Sequence, residues 1–293
     1  MSRNLLALNT INYIWNHPNS YDHQIQSISK FFGWQLYKRL TKNFIDVNLL
    51  PDVKLRCYPD SYSAASVLYC GLYDYNEMNF VLRYLRAKDS FLDIGANVGV
   101  YSLLAASKIK QGNVYSFEVL PKNFQRLQEN IQLNNLERVK LYQVAVSDRS
   151  GAIELNLADG DSMAFITDKT SEKTISVKAD TIDNLLCNEN LDNLTLAKID
   201  IEGAEILALQ GASRLLKNHL PKVWIMEVNG RVSNFEHNKD GVVELLKSYG
   251  YQFYNYYAKH NKVNLIDIRQ HQGKNVLVIA DSAVDFVKQR VKI

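Results

Sequence analysis

From Ser90 onward the chain alternates short apolar runs with amphipathic ones, and that alternation leaves few folds open. "SFLDI" is an apolar run that ends at a glycine turn, and "VYSLLAASKIK" has helical spacing. "NVYSFE" is a second strand, closed by an acid. "PKNFQRLQENIQLNN" carries proline early and asparagines late, the start and stop signals of a helix. "VKLYQVAV", "LTLAKID" and "KVWIMEV" are further core strands, with a helix "AEILALQGASRLLKN" between the last two and "GVVELLKSYG" after them. "GAIELNL" and "TISVKAD" alternate with period two and read as a side hairpin. Repeated β-α units require a parallel sheet covered on both faces. "YQFYNYY" and "NVLVIA" have no helix between them and imply an antiparallel edge. The expected fold is therefore α/β: a Rossmann-like, doubly wound, seven-stranded and mostly parallel sheet with an antiparallel edge strand. Residues 1–50 read as an N-terminal helical extension, and 51–293 as the main domain.

In an open α/β sheet ligands bind beyond the carboxyl ends of the strands, where the strand order reverses. Here the strand ends carry acids: Asp93, Glu118, Asp200 with Glu202 after it, and Glu227. Carboxylates brought to one rim repel each other, so a cationic ligand or a metal is the natural compensation. The first turn, "FLDIGANVGVYSLLAA", has Gly95 and Gly99 but Asn97 where a dinucleotide site places its middle glycine. A pyrophosphate is a poor guest for such a rim. S-adenosylmethionine suits it better, having a positive sulfonium, an ammonium, no phosphate and a ribose diol that Glu118 is placed to bind. Asn123 opens the helix under the ribose edge, and Ser147 and Asp148 follow the third strand where an adenine edge would find a partner. A plain polar turn explains that last pair as well. A nicotinamide-dependent oxidoreductase is the rival enzyme, weakened by Asn97 and by the lack of a convincing proton relay. A non-catalytic S-adenosylmethionine-binding module or a membrane-docked scaffold is the rival of another class.

The formal net charge is only +3, which gives no reason to expect nucleic acid as partner. Cys57, Cys70 and Cys187 form no paired motif and read as small core residues in a reducing compartment. No run approaches the length of a membrane span, and the N-terminus is too weak for a secretory signal, so a cytoplasmic protein is expected. "ISKFFGWQLYKRLTKNF" places Ile28, Phe31, Phe32, Leu36 and Leu40 near helical spacing among basic residues. Two readings stand for it: a helix packed on the main domain or on a second subunit, and an interfacial helix, over residues 28–43, on an anionic membrane.

Over residues 58 to 230 the chain resembles the FkbM-type methyltransferases, a branch of the class I S-adenosylmethionine-dependent enzymes. "FLDIGANVGVYS", "VYSFEVLPKNFQRLQENIQLNN", "VAVSD", "LAKIDIEGAEILALQGA" and "VWIMEV" follow the order of that family's motifs. "KIDIEGAE" is the most specific, and "GLYDYNEMNFV" resembles the stretch leading into the first motif. Val119 departs from the family's usual proline, and "DGDSMAF", with Ser162, is only an approximate match to its later turn. The resemblance implies a cofactor held by Glu77, Asp93, Gly95, Asn97, Gly99, Glu118, Asn123, Ser147 and Asp200. It also implies O-methylation of a hydroxyl on a sugar, glycan or other small natural product.

An alcohol acceptor loses a proton during such a transfer, so a base is expected nearby. The catalytic candidates are Asp200, Glu202 and Glu227, with Glu205 and His237 also in range; Glu205 is equally suited to capping its own helix. Lys198 is placed to hold one of these acids. Asp200 and Glu227 are also of the type that binds a divalent cation. Tyr254, Tyr256 and Tyr257 are suited to stacking on a sugar, although strands favour tyrosine for other reasons.

Overall fold

The computed structural model describes residues 3–157, 164–166, 174–201, 203–227 and 236–292. The chain opens with helices α1 (Arg3–Asn16) and α2 (Gln24–Leu40), a hairpin of β1 (Ile45–Leu50) and β2 (Val53–Cys57), then α3 (Tyr62–Cys70) and α4 (Tyr75–Tyr84). The alternating part follows as β3 (Ser90–Ile94), α5 (Val100–Lys108), β4 (Val114–Phe117), α6 (Pro121–Leu133), β5 (Val139–Tyr142) and a short β6 (Ala145–Val146). Next come β7 (Gly151–Leu157), β8 (Ala164–Ile166), β9 (Thr174–Asp180), α7 (Ile182–Leu185), β10 (Leu194–Ile199), α8 (Glu205–Gln210), α9 (Ser213–Lys217) and β11 (Val223–Glu227). The chain closes with α10 (Glu236–Ser248), β12 (Tyr251–Tyr257), β13 (Lys262–Leu265), β14 (Asn275–Ala280) and α11 (Val284–Lys292).

The main sheet runs β13-β12-β14-β11-β10-β3-β4-β5 among the described residues. Strands β11, β10, β3, β4 and β5 are mutually parallel. The chain winds from β3 outward to β5 on one side and from β10 outward to β11 on the other, so the order reverses between β3 and β10. This is the doubly wound α/β architecture that the alternation implies. Two details differ from expectation. β14 pairs antiparallel with β11 on one side and β12 on the other, so the antiparallel strand lies inside the sheet. The hairpin strand β13 then adds an eighth strand at that edge. The side hairpin forms as expected, β7 pairing antiparallel with β9.

The inner parallel strands β3, β4 and β10 are buried at every position because helices cover both faces, whereas the edge strand β5, with Lys140, is only partly buried. Trp224, Phe91, Phe117, Tyr115 and Leu92 are among the largest fully buried side chains, each contributing roughly 1.5–3 kcal/mol by leaving water. The run expected as one helix after β10 is broken into α8 and α9 at Gly211-Ala212. A Cβ on Gly211 would lie 2.0 Å from the Ser147 carbonyl oxygen, so this turn is fixed by how closely it approaches the end of β6.

In α2 the buried residues are Ser27, Phe31 and Trp34. Ile25, Phe32, Leu36 and Leu40 are exposed, at 78%, 56%, 60% and 74%. The apolar residues of this helix thus divide between two faces, where the spacing had been read as one. Among the described residues no helix is long and apolar enough to cross a membrane. Cys57 and Cys70 are buried, whereas Cys187 is exposed and is not a core residue.

Candidate functional site

The turn after β3 is the structural centre. Gly95, Asn97 and Gly99 all have positive φ, at 80°, 52° and 92°. Asparagine is one of the few side-chain-bearing residues that adopts this conformation readily, so Asn97 makes the bend that a glycine would make. Gly95 is required by packing: a Cβ there would lie 2.0 Å from the Asp200 carbonyl oxygen. At Gly99 a Cβ would meet Leu127 Cδ1 at 2.6 Å, so this residue lets α6 approach the turn. Asn130, fully buried on α6, donates to the Val98 carbonyl (2.8 Å) and accepts from the Arg56 N–H (2.7 Å), tying the turn to β2.

Above this turn lies a cavity of about 660 Å³, at the point where the sheet order reverses. Asp93, Gly95, Asn97, Glu118, Asn123 and Asp200 line it, as six of the expected site residues. Its apolar wall includes Phe117, Val144, Val146 and Leu155. Glu118 is buried, and its carboxylate accepts the Asn97 N–H and the Leu120 N–H, each at 2.8 Å. Burial nevertheless pushes its pKa up to about 7, the two backbone donors offsetting only part of that cost. Asp93 is also pushed up by burial and accepts a 2.5 Å hydrogen bond from Ser102. Two further hydroxyls on this cavity, Ser61 and Ser63, are buried and have no hydrogen-bond partner in the protein. A buried polar atom left in that state costs free energy that a polar ligand would recover.

The rim is not a bare crown of carboxylates. Lys198, on β10 and paired in register with Asp93, donates to Asp200 at 2.7 Å and lies 4.7 Å from the centre of the Tyr101 ring. Burial works against the charge on Asp200, but Lys198 and Lys274 outweigh it and hold this carboxyl well below the usual range. Lys274 forms an ion pair with Glu227 at 3.3 Å. Burial alone would lower both lysines; Asp200, with Asp93 for Lys198 and Glu227 for Lys274, raises them instead. The two ammonium groups thus supply the positive charge that the clustered acids require. Among the described residues no group of three or more His, Cys, Asp or Glu is arranged to hold a metal ion.

The remaining expected residues are placed elsewhere. Glu77 lies on α4 in a second cavity of about 1240 Å³, where burial and neighbouring Asp74 push its pKa up to about 8. Gly99 and Ser147 do not line the first cavity; Ser147 is buried and donates to Asp148 at 3.1 Å. Glu227 pairs with Lys274 and is hydrogen-bonded to Asp200, but is not itself among the residues that line either cavity. Glu205 caps its own turn, accepting the N–H groups of Ile201 (3.2 Å) and Gly203 (3.1 Å). His237 belongs to the first turn of α10 and not to a loop. Glu202 and Ser162 lie outside the described residues.

Tyr73, within the "GLYDYNEMNFV" stretch that carries the resemblance, and residues not singled out from the sequence complete the site. Tyr73, Asp74 and Lys274 line both cavities and form their common wall. Tyr101 donates to Asp74 Oδ2 at 2.9 Å. Asp74 is pushed up by burial, with Lys198 and Lys274 opposing. The N-terminal helices belong to the site too: Tyr13 lines the first cavity and donates to the Tyr73 carbonyl at 3.0 Å, and His17 Nε2 lies 2.8 Å from the same oxygen. Lys274 reaches the rim because β14 is inserted antiparallel beside β11, Asn275 pairing with Glu227, a placement that periodicity along the chain does not reveal.

Residues 93–253, just over half of the chain, match the family described as Methyltransferase FkbM domain. Similar curated proteins include Methyltransferase 1 of Beauveria bassiana, 29% identical over 145 residues, which is 42% of this chain and 58% of that protein. The 2-O-methyltransferase NoeI of Sinorhizobium fredii is 27% identical over 142 residues, 43% of this chain and 58% of the relative. The hexuronic acid methyltransferase AglP of Haloferax volcanii is 28% identical over 131 residues, 44% of this chain and 52% of the relative. The chain thus spans between half and two thirds of the length of these relatives. On the family match, together with the glycine-asparagine turn and the acids of the parallel strand ends, the chain belongs to the FkbM-domain methyltransferases.

Proposed function

We propose that this chain is an S-adenosylmethionine-dependent methyltransferase acting on a hydroxyl oxygen of a sugar or another small hydroxylated acceptor. The observation that carries the reading is the 660 Å³ cavity at the switch point, walled by Asp93, Glu118 and Asp200 beneath an apolar side. The chemistry of that wall suits the donor. Glu118 retains lone pairs for a ribose diol, Asp200 stays ionised beside an ammonium, and Val144, Val146 and Leu155 suit a flat base. Ser61 and Ser63 would gain the partners they lack. The names of two relatives, a 2-O-methyltransferase and a hexuronic acid methyltransferase, support oxygen on a sugar as the acceptor.

When bound, the donor supplies a methyl whose bond to sulfur breaks, the electron pair returning to sulfur, as the bond to the acceptor oxygen forms. The protein's part is alignment, exclusion of water and removal of the acceptor's proton. Asp74 is better suited to take that proton than Asp200. Two lysines keep Asp200 weakly basic, while burial makes Asp74 more basic. Tyr101 holds Oδ2, so Oδ1 is the oxygen that receives the proton. Glu227 acts at one remove by fixing Lys274 at the common wall. Titration calorimetry tests the donor site. S-adenosylmethionine is expected to bind the wild-type protein and to bind Glu118→Ala at least tenfold more weakly. No heat with this donor, or heat with a nicotinamide cofactor instead, overturns the reading.

A further inference from the structure

We propose that the second cavity is the acceptor site and that it takes a neutral glycan of two or more sugar units; this rests on the methyltransferase reading above. The cavity shares Tyr73, Asp74 and Lys274 with the donor cavity, so a hydroxyl entering from this side meets the proposed base at the common wall. At about 1240 Å³ it exceeds the usual range for a small-molecule pocket and is far larger than one sugar ring requires.

Its lining suits hydroxyl-rich, uncharged chemistry. Tyr21 and Tyr257 lie on the cavity and are 62% and 43% exposed, leaving ring area on which the C–H face of a pyranose can pack. Amides such as Asn255 and Gln270 both donate and accept, as vicinal hydroxyls do. Asp22, Asp74, Glu77 and Asp267 line the cavity together with Lys259 and Lys274, so there is no excess of positive charge to attract a phosphate or a polyanion. The walls come from residues 17–22, 73–77 and 255–275. All of these lie outside the stretch that matches the family, residues 93–253. The matched stretch thus supplies most of the donor cavity, and segments flanking it on both sides supply the second cavity.

The test uses a printed array of neutral and acidic glycans, probed with the full chain saturated with S-adenosylhomocysteine. Tyr21→Ala and Tyr257→Ala are run beside it, both at exposed positions, and donor binding is followed separately by calorimetry. The expected result is binding to neutral glycans of two or more units, at least tenfold weaker binding of the matching monosaccharides, and a tenfold or greater loss in each variant with donor affinity unchanged. Donor binding without any glycan bound, binding confined to acidic glycans, or a glycan held equally well by both variants overturns the proposal. Loss of donor binding in the wild type overturns the methyltransferase reading instead, which the calorimetry reports independently.

Discussion

Glu118 shows how a single buried carboxyl can govern an affinity. Its pKa of about 7 means that near neutrality it is part protonated before any ligand arrives. A ribose diol donates two hydrogen bonds to the ionised form only, so donor binding is expected to expel a proton from a fraction of the molecules. Calorimetry at pH 7 in buffers of different ionisation enthalpy should report proton release, and donor affinity should fall as pH drops from 8 to 6. Glu118→Gln should bind more weakly and lose that pH dependence. Asp74 carries a kinetic prediction. Asp74→Asn removes the proton acceptor while keeping shape, so kcat should fall by roughly 10²–10⁴-fold with donor affinity little changed. Asn97 carries a conformational one. At φ 52° a Cβ is strained, so Asn97→Ala should cost about 1 kcal/mol in chemical denaturation, whereas Asn97→Gly should be close to neutral. These positions also differ in how legible they were. Glu118 was evident from its place at a strand end, because strand ends converge in this fold. Asp74 was not, because it precedes a helix and its carboxylate is held by a hydrogen bond from Tyr101, a residue 27 positions away in the chain.

Elements of the fold carry the next level of constraint. The break between α8 and α9 follows from the 2.0 Å approach of a Gly211 Cβ to Ser147. Gly211→Ala is therefore expected to lower the thermal midpoint by several degrees, although alanine is the better helix former in isolation. The periodicity of "AEILALQGASRLLKN" cannot reveal this, since the obstacle is supplied by another part of the chain. Helix α2 makes the same point in reverse. Its apolar residues looked like one stripe, yet Trp34 is 3% exposed while Leu36 is 60% exposed. Trp34→Ala should cost roughly 3–5 kcal/mol, and Leu36→Lys should stay within about 0.5 kcal/mol of wild type, both read from denaturant midpoints.

For the whole molecule the balance of buried charge sets a pH dependence. Glu77, Glu118 and Glu205 are raised to about 8, 7 and 7, in each case chiefly by burial. Unfolded, such carboxyls titrate near 4.3, so between that pH and 7 to 8 the native state holds more protons. These three groups then make the ligand-free protein less stable as pH rises through this window, with His17, lowered by burial, opposing them below about pH 6.5. Thermal midpoints measured from pH 5.5 to 8.5 are expected to fall, and Glu205→Gln should reduce the slope. Asp200 works in the opposite sense, and its contribution is lost only in acid, below the ordinary aspartate range.

The sequence by itself determined the doubly wound sheet, the rim at which its acids collect and the bend at Gly95, because strand-helix periodicity and backbone preference are local properties read along the chain. Lys198 was expected to hold one of those acids; only the tertiary structure decided that Lys274 joins it, which carboxyl stays basic and where a second cavity opens. Lys198, Lys274, Asp74 and Tyr101 come from separate segments, and their charges take on these roles only once burial strips away the water that keeps them independent in the unfolded chain.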